Sequence, residues 1–378
     1  MSIIDRYIIA GFARVFLICF LSLAGLYIVV DAFSNLEELG NLSAKRSWPA
    51  VIGGYYGPRA LQFFDKTSAY LTLIAAIFCL AFLQRSNELT AIQAAGISDR
   101  RVARPILAAT LAVLLLSVVN RELVMPWYRV PLAMNFQDMQ GGSRPAHPLV
   151  DPQTGIQIRG TGAKPAHQQI ENPKFRLPEN SVWPIRTVEA QDGTWLAADA
   201  SRPAGYRLTG LSGSAAELKS GLVDPDTGRT LVYTAGEVDW VQPGELFVVS
   251  SIDPIGLAFA DNLIRNSSLY DLIVNSRYAG SAGISNRIRV DLHGRVVQPV
   301  FDLTILLIGL PLVLVRGERN LFVSAGICLL VVMFMSLVVI ACHGLGVARL
   351  VSPPALAAWV PVILFAPIAW VAYGWLGR

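Results

Sequence analysis

Six stretches of this chain are apolar over the length of a lipid bilayer, and no other feature limits its possible folds as strongly. Hydrocarbon offers no water to backbone N–H and C=O groups, so only helices or closed barrels cross it. A helical span needs about 20 mostly apolar residues. The stretches run from about Tyr7 to Val30, Leu61 to Leu83, Val102 to Val124, Val296 to Val315, Leu321 to Cys342 and Ala355 to Trp375. Between the third and fourth lies a polar insert, roughly Pro126 to Ser281, without a span of its own. Composition agrees, because only 15% of the 378 residues are charged, against roughly 25% in an ordinary soluble domain. The expected architecture is a polytopic α-helical membrane protein with six transmembrane helices. Residues 1–125 form helices 1–3, 126–283 an inserted domain with a connecting helix, and 284–378 an interfacial helix and helices 4–6.

Lys and Arg in short loops set orientation. Arg6, Arg85, Arg100, Arg101, Arg104, Arg316, Arg319 and Arg378 fall on one side, against Lys45, Arg46 and Arg349 on the other. The richer side is taken as cytoplasmic, which puts the insert outside the cytoplasm. The first apolar run is too long for a signal-peptide core and lacks a small-residue cleavage site, so it reads as a retained helix. A net charge of +4 without a dense basic run gives nucleic acid no footing.

From Pro145 onward, short apolar runs alternate with turn dipeptides. Asp192-Gly193 separates RTVEA from TWLAA, Asp226-Thr227-Gly228 precedes RTLVYTA, and Pro243-Gly244 precedes ELFVVSSI. Gly, Pro and Asp at such breaks read as β-hairpins and an all-β sandwich or barrel. Two helical segments follow, from Ser268 and from Ile284. In the second, Ile284, Ile288, Leu292 and Val296 recur four apart among Arg287, Arg289 and Arg295, which suits an interfacial helix.

Chemistry is sparse. The cysteines Cys19, Cys79, Cys328 and Cys342 all lie in spans, which excludes a disulfide framework in the insert, and no CxxC spacing exists. His147, His167, His293 and His343 have no zinc-site spacing, GLVDPDTGRT lacks the lysine of a phosphate loop, and no GxSxG is present. Neither an enzyme nor a cofactor is called for. Asp65, Lys66 and Asp302 are charges inside spans, where such groups face a cavity or a partner, and a pairing across the bundle would satisfy them.

One polar break between spans two and three, RSNELTAIQAAGIS from Arg85 to Ser98, reads as a short cytoplasmic helix. Ser86 is its expected cap, Glu88 favours the positive end of its dipole, Leu89 and Ile92 give it an apolar face, and Gly96 suits a left-handed stop. Ser98 then caps the third span. Such a segment is either a simple connector or a rigid element offering an acid to a cytosolic partner.

The second reading is favoured by a resemblance. Asn87-Glu88-Leu89 and Ala94-Ala95-Gly96-Ile97-Ser98 resemble the coupling helix of the lipopolysaccharide-export permease family (LptF/LptG, YjgP/YjgQ). Asp5-Arg6-Tyr7, VDLHGRVVQP from Val290 to Pro299, Leu310-Pro311-Leu312 and SPPALAAWVP from Ser352 to Pro361 extend the match, and the start and IVVDAFSNLEEL lean toward the LptG side. The resemblance implies six transmembrane helices, an extracytoplasmic β-jellyroll after the third, and a bacterial inner-membrane location. It also implies pairing with a second homologous permease, a cytosolic ABC ATPase dimer docked on the coupling helices, and a membrane-anchored periplasmic jellyroll protein. Lipopolysaccharide is the implied cargo. Arg85, Glu88, Leu89, Ile92, Gly96 and Arg101 are then the coupling residues, with Lys45, Arg46, Arg59 and Lys66 as candidate cations for lipid phosphates. Asp31, Glu37 and Glu38 depart from the family where basic residues are common. The competing classes are a mechanotransmission subunit, which usually has four spans, and a membrane-embedded transferase or hydrolase, which would need a polar catalytic cluster not visible here.

Overall fold

The computed structural model describes residues 3–43, 47–139, 141–178, 185–215, 218, 220–224, 228–276, 282–314 and 321–375. The chain divides into two compact units, Met1–Trp127 with Asn286–Arg378, and Tyr128–Ser285.

The first unit is helical. Helix α1 (Ile3–Ser34) is followed by short α2 (Leu36–Ser43), long α3 (Trp48–Arg85), short α4 (Glu88–Ala94) and α5 (Asp99–Val119). Within the described residues, six helices are long and apolar enough to cross a membrane, which makes this a multi-pass membrane protein. The helices outrun the apolar stretches: α3 begins at Trp48 with Pro49 in its first turn, where a missing N–H costs nothing. Prolines Pro58 and Pro105 lie inside α3 and α5, as transmembrane helices tolerate. After Val119 the third span widens into a π-helical turn, Asn120–Val124, then a 3-10 turn, Met125–Tyr128.

The second unit opens with short helices α6 (Arg129–Ala133) and α7 (Phe136–Met139). Among the described residues ten strands form one antiparallel sheet. They are β1 (Leu149–Val150), β2 (Gln157–Arg159), β3 (Gly162–Lys164), β4 (Gln169–Glu171), β5 (Lys174–Arg176), β6 (Thr187–Leu196), β7 (Gly205–Ser212), β8 (Leu222–Val223), β9 (Thr230–Thr234) and β10 (Leu246–Val249). The main order is β1-β2-β5-β6-β7-β10-β9-β8. Strand β6 is the spine: its first half pairs with β5, its second half with β4, and both halves pair with β7.

Asp192-Gly193 is therefore not a turn but lies inside β6. A Cβ on Gly193 would lie 2.8 Å from Ile170 Cγ2 and 3.1 Å from Leu208 Cδ2, so glycine serves close strand approach there. The other turn readings fare better. Gly244 takes φ +89° before β10, and Gly228 takes φ +66° where its N–H donates to Asp224 O at 2.8 Å in the β8–β9 hairpin. Asp226 and Thr227 lie outside the described residues.

Ile156, Ile158, Ile170, Phe175, Val188, Tyr206, Leu208 and Val248 form the core of this unit. It is shared by Leu257 of α8 (Pro254–Asn266), which is followed by α9 (Leu269–Ser276). The buried Asp151 carboxylate fastens the sheet to the strand end before α8, accepting from Ser251 N at 2.6 Å, Ser251 Oγ at 2.8 Å and Gln153 N at 2.8 Å.

The chain returns to the first unit along α10 (Ala282–Leu314), α11 (Leu321–Val347) and α12 (Pro354–Trp375). More than half of the apolar stretch of α3 and of α10 is buried, against about a tenth of that in α1, so α3 and α10 are central. The four-apart stripe read at the start of α10 does not form one face: Ile288 is buried while Val296 is exposed. The side chain of Ile284 is outside the described residues. The segment forms the first turns of one continuous helix, α10.

Candidate functional site

Two places in the helical unit concentrate polar side chains. The first surrounds α4. Ser86 does not cap it; its hydroxyl donates back to Phe82 O at 2.8 Å, ending α3. Asn87 turns the chain with φ 59°, Glu88 opens α4, and Gly96 closes it with φ 80°. Ser98 stands at the N-cap of α5, where its carbonyl, not its side chain, accepts from Arg101 N at 2.8 Å.

Between these turns α4 is anchored on three sides. Leu89 is buried in the core with Ile8, Phe12, Leu83, Val102 and Ile106, and Ile92 and Ile97 pack against the same core. Arg101 grips Asp5 with both guanidinium nitrogens, Nη1 to Oδ1 at 2.5 Å and Nη2 to Oδ2 at 2.9 Å, tying α5 to α1. A bidentate pair of this kind fixes orientation as well as distance. Gln93 Nε2 donates to Asp99 Oδ1 at 2.8 Å, and Arg100 reaches α12 through Gly374 O at 3.2 Å. Tyr7 of α1 lies beside Glu88. Glu88 is partly buried, while Arg85 and Gly96 are exposed. The structure thus brings Arg85, Glu88, Leu89, Ile92, Gly96 and Arg101 together where α1, α3, α5 and α12 converge.

The candidate lipid cations are less concentrated. Lys45 and Arg46 lie outside the described residues. Arg59 is buried on α3, its guanidinium 3.3 Å over the Tyr55 ring, with Nη1 donating to Tyr55 O at 3.1 Å. Lys66 is exposed on the same helix.

The second polar place is a seam inside the span bundle that the sequence did not reveal. At the π turn, Arg121 Nε meets Asp65 Oδ1 at 3.0 Å, and its Nη1 donates to Gln298 Oε1 at 2.6 Å. Ser117 Oγ donates to Asp65 Oδ1 at 3.2 Å, and Asn120 Nδ2 to Leu61 O at 3.0 Å. Next door, Glu122 faces Arg295 at 3.7 Å, and Asp291 of α10 binds His343 Nε2 of α11 at 2.7 Å. Asp65 is thus bonded to Arg121 and not to Asp302, which corrects the pairing expected across the bundle. Asp302 lies within α10, and among the described residues it makes no hydrogen bond or ion pair. His293 accepts from the Trp359 indole at 3.5 Å, a structural contact.

Among the described residues no group of three or more His, Cys, Asp or Glu side chains is arranged to hold a metal ion. Residues 6–156 and 222–375 match the family model described as Lipopolysaccharide export system permease LptF/LptG. The match treats both members together and does not separate an LptF from an LptG. No curated protein matches the chain.

Proposed function

The chain belongs to the LptF/LptG family, a permease component of lipopolysaccharide export and not itself an enzyme, and on that premise we propose how it works: as a transmembrane subunit of an ATP-driven exporter that extracts lipopolysaccharide from the bacterial inner membrane. Hydrolysis belongs to a separate cytosolic ABC ATPase dimer, and α4 is the element on which that dimer acts.

The anchoring of α4 carries the reading. A push on a loop dissipates, whereas a push on α4 is delivered through Leu89 to the core, through Arg101 to α1 and through Arg100 to α12. Glu88 and the exposed Arg85 give the ATPase an acid and a base to grip.

The cargo needs an apolar wall for its acyl chains and cations for its phosphates. The uncovered apolar faces of α1 (Leu17, Leu21, Val29) and α11 (Leu330, Phe334, Leu337) suit the first need and the pairing with a second permease. Lys66, exposed on α3, suits the second need, while Arg59 is buried against Tyr55. With α4 on the cytoplasmic side, the β domain lies in the periplasm. There a sheet end at β1 or β8, each a two-residue strand, is a docking edge for a membrane-anchored jellyroll protein. The Asp5-Arg6-Tyr7 start favours the LptG-type role.

Purification of the tagged chain from its native membrane in mild detergent, beside a Glu88→Lys version, tests the reading. Co-purification of a soluble ATPase and a second six-span protein, with the ATPase lost from the variant alone, is the expected result. Retention of the ATPase by Glu88→Lys removes α4 from the coupling role.

A further inference from the structure

Asp291, Arg295, Gln298 and Asp302 follow one another along α10 at intervals of four, three and four, which puts them on one helix face. The first three each engage another element: Asp291 holds His343, Arg295 faces Glu122, and Gln298 accepts from Arg121. Asp302 is the last rung and has no bonding partner among the described residues. At a rise of about 1.5 Å per residue it lies roughly 18 Å from the Leu314 end of α10. That places it within a hydrocarbon layer of about 30 Å.

The charged groups facing Asp302 are Arg121 and Asp65. Arg121 is already held by Asp65 and by Gln298, so its charge is largely answered. On α10 itself the nearest cation, Arg295, faces Glu122. Helices α11 and α12 carry no Asp, Glu, Lys or Arg. On α10 the Thr304 hydroxyl donates to Val300 O at 2.7 Å, and beside Asp65 Ser117 donates to Asp65 and Ser68 to Ser117 at 3.2 Å. Among the described residues no group of three or more His, Cys, Asp or Glu side chains surrounds Asp302 to hold a metal ion. Asp302 is only partly exposed, and a carboxylate within the span without a bonded cation carries a high cost that a proton removes.

We propose that Asp302 is an intramembrane proton-binding site, occupied in this arrangement of the helices, and that Arg121 is the cation waiting for it. When the seam rearranges, the Asp302 carboxylic acid gives its proton to water. The carboxylate then takes Nη1 of Arg121 from Gln298, one turn away on the same face. Return of the helices reverses the exchange, with the proton drawn again from solvent. Proton release and uptake would accompany each cycle of helix movement in a machine whose energy comes from elsewhere.

The test is infrared spectroscopy of the full chain in phospholipid vesicles at neutral pH. The expected spectrum contains the carbonyl stretch of a neutral carboxylic acid, lost in Asp302→Asn and present but displaced in Asp302→Glu, which guards against a misfolded Asn variant. Spectra of wild type and Asp302→Asn that coincide in this region overturn the proposal, because Asp302 is then charged. So does a band present in potassium chloride and abolished in sodium chloride at the same pH, since the ligand would then be a sodium ion. The spectrum reads the carboxyl without transport or ATPase, so its failure leaves the exporter reading standing.

Discussion

The seam makes a quantitative prediction about Arg121. Arg121→Met keeps the bulk and removes the guanidinium, leaving Asp65 Oδ1 without a cation at 3.0 Å and Gln298 Oε1 without a donor at 2.6 Å. Only Ser117, at 3.2 Å, still donates to the Asp65 carboxylate. Breaking a buried ion pair from one side costs about 3–5 kcal/mol, whereas replacing both partners is often nearly neutral. Individual hydrogen bonds between membrane helices average only about 0.6 kcal/mol, so most of the expected loss is the stranded charge. Arg121→Met should therefore lose about 3 kcal/mol, and Asp65→Asn added to it should recover about 2 kcal/mol of that. The assay is equilibrium unfolding in mixed detergent micelles, followed by far-ultraviolet dichroism, for wild type, both single variants and the double variant. An interaction energy within about 0.5 kcal/mol of zero refutes the reasoning, because Asp65 and Arg121 would then be solvated independently and the seam would be an open, wet groove.

Two further outcomes follow from the β domain. Gly193→Val should cost about 1–3 kcal/mol through overpacking against Ile170 and Leu208, read as a lower melting temperature in the Trp195 fluorescence; an unchanged value would restore Asp192-Gly193 as a turn. Asp151→Ala orphans the N–H groups of Ser251 and Gln153 at about 1–3 kcal/mol each, and the Ser251 amide should exchange hydrogen markedly faster than in the parent protein, a difference that vanishes if water replaces the carboxylate.

The spans were legible because a twenty-residue apolar run has few alternatives in water or in lipid. Their ends were not, because a helix continues through the interface wherever its backbone stays bonded, as the Trp48 start of α3 shows. Helix α8 was missed although its signals stood in the sequence: Asp253 caps it, accepting from Gly256 N at 2.7 Å, and Pro254 occupies its first turn. Asp192-Gly193 misled because the same dipeptide that favours a hairpin turn also fits a crowded strand, and only the identity of the neighbours decides between them. Around α4 the glycine stop at Gly96 was readable from one residue. The role of Ser86 was not, since a hydroxyl at a helix junction can serve either the helix that ends or the one that begins.

The seam was hidden for a different reason. Asp65, Arg121, Glu122, Asp291, Arg295 and Asp302 are all visible as charges within or beside apolar runs, and their cost in a membrane says that they must find one another. Which finds which depends on helix phase. On a regular α5 the neighbours Arg121 and Glu122 would point well apart, but the π turn over Asn120–Val124 closes its hydrogen bonds one residue later and narrows the step between them, so both reach α10. Nothing in NRELV announces that turn. The turn coincides with its partners: Asn120 bonds Leu61, Arg121 bonds Asp65 and Gln298, and Glu122 faces Arg295. The tertiary contacts hold the local distortion, and the distortion places the contacts. When those bonds exchange, Asp302, the rung without a bond among the described residues, is the group toward which Arg121 would turn.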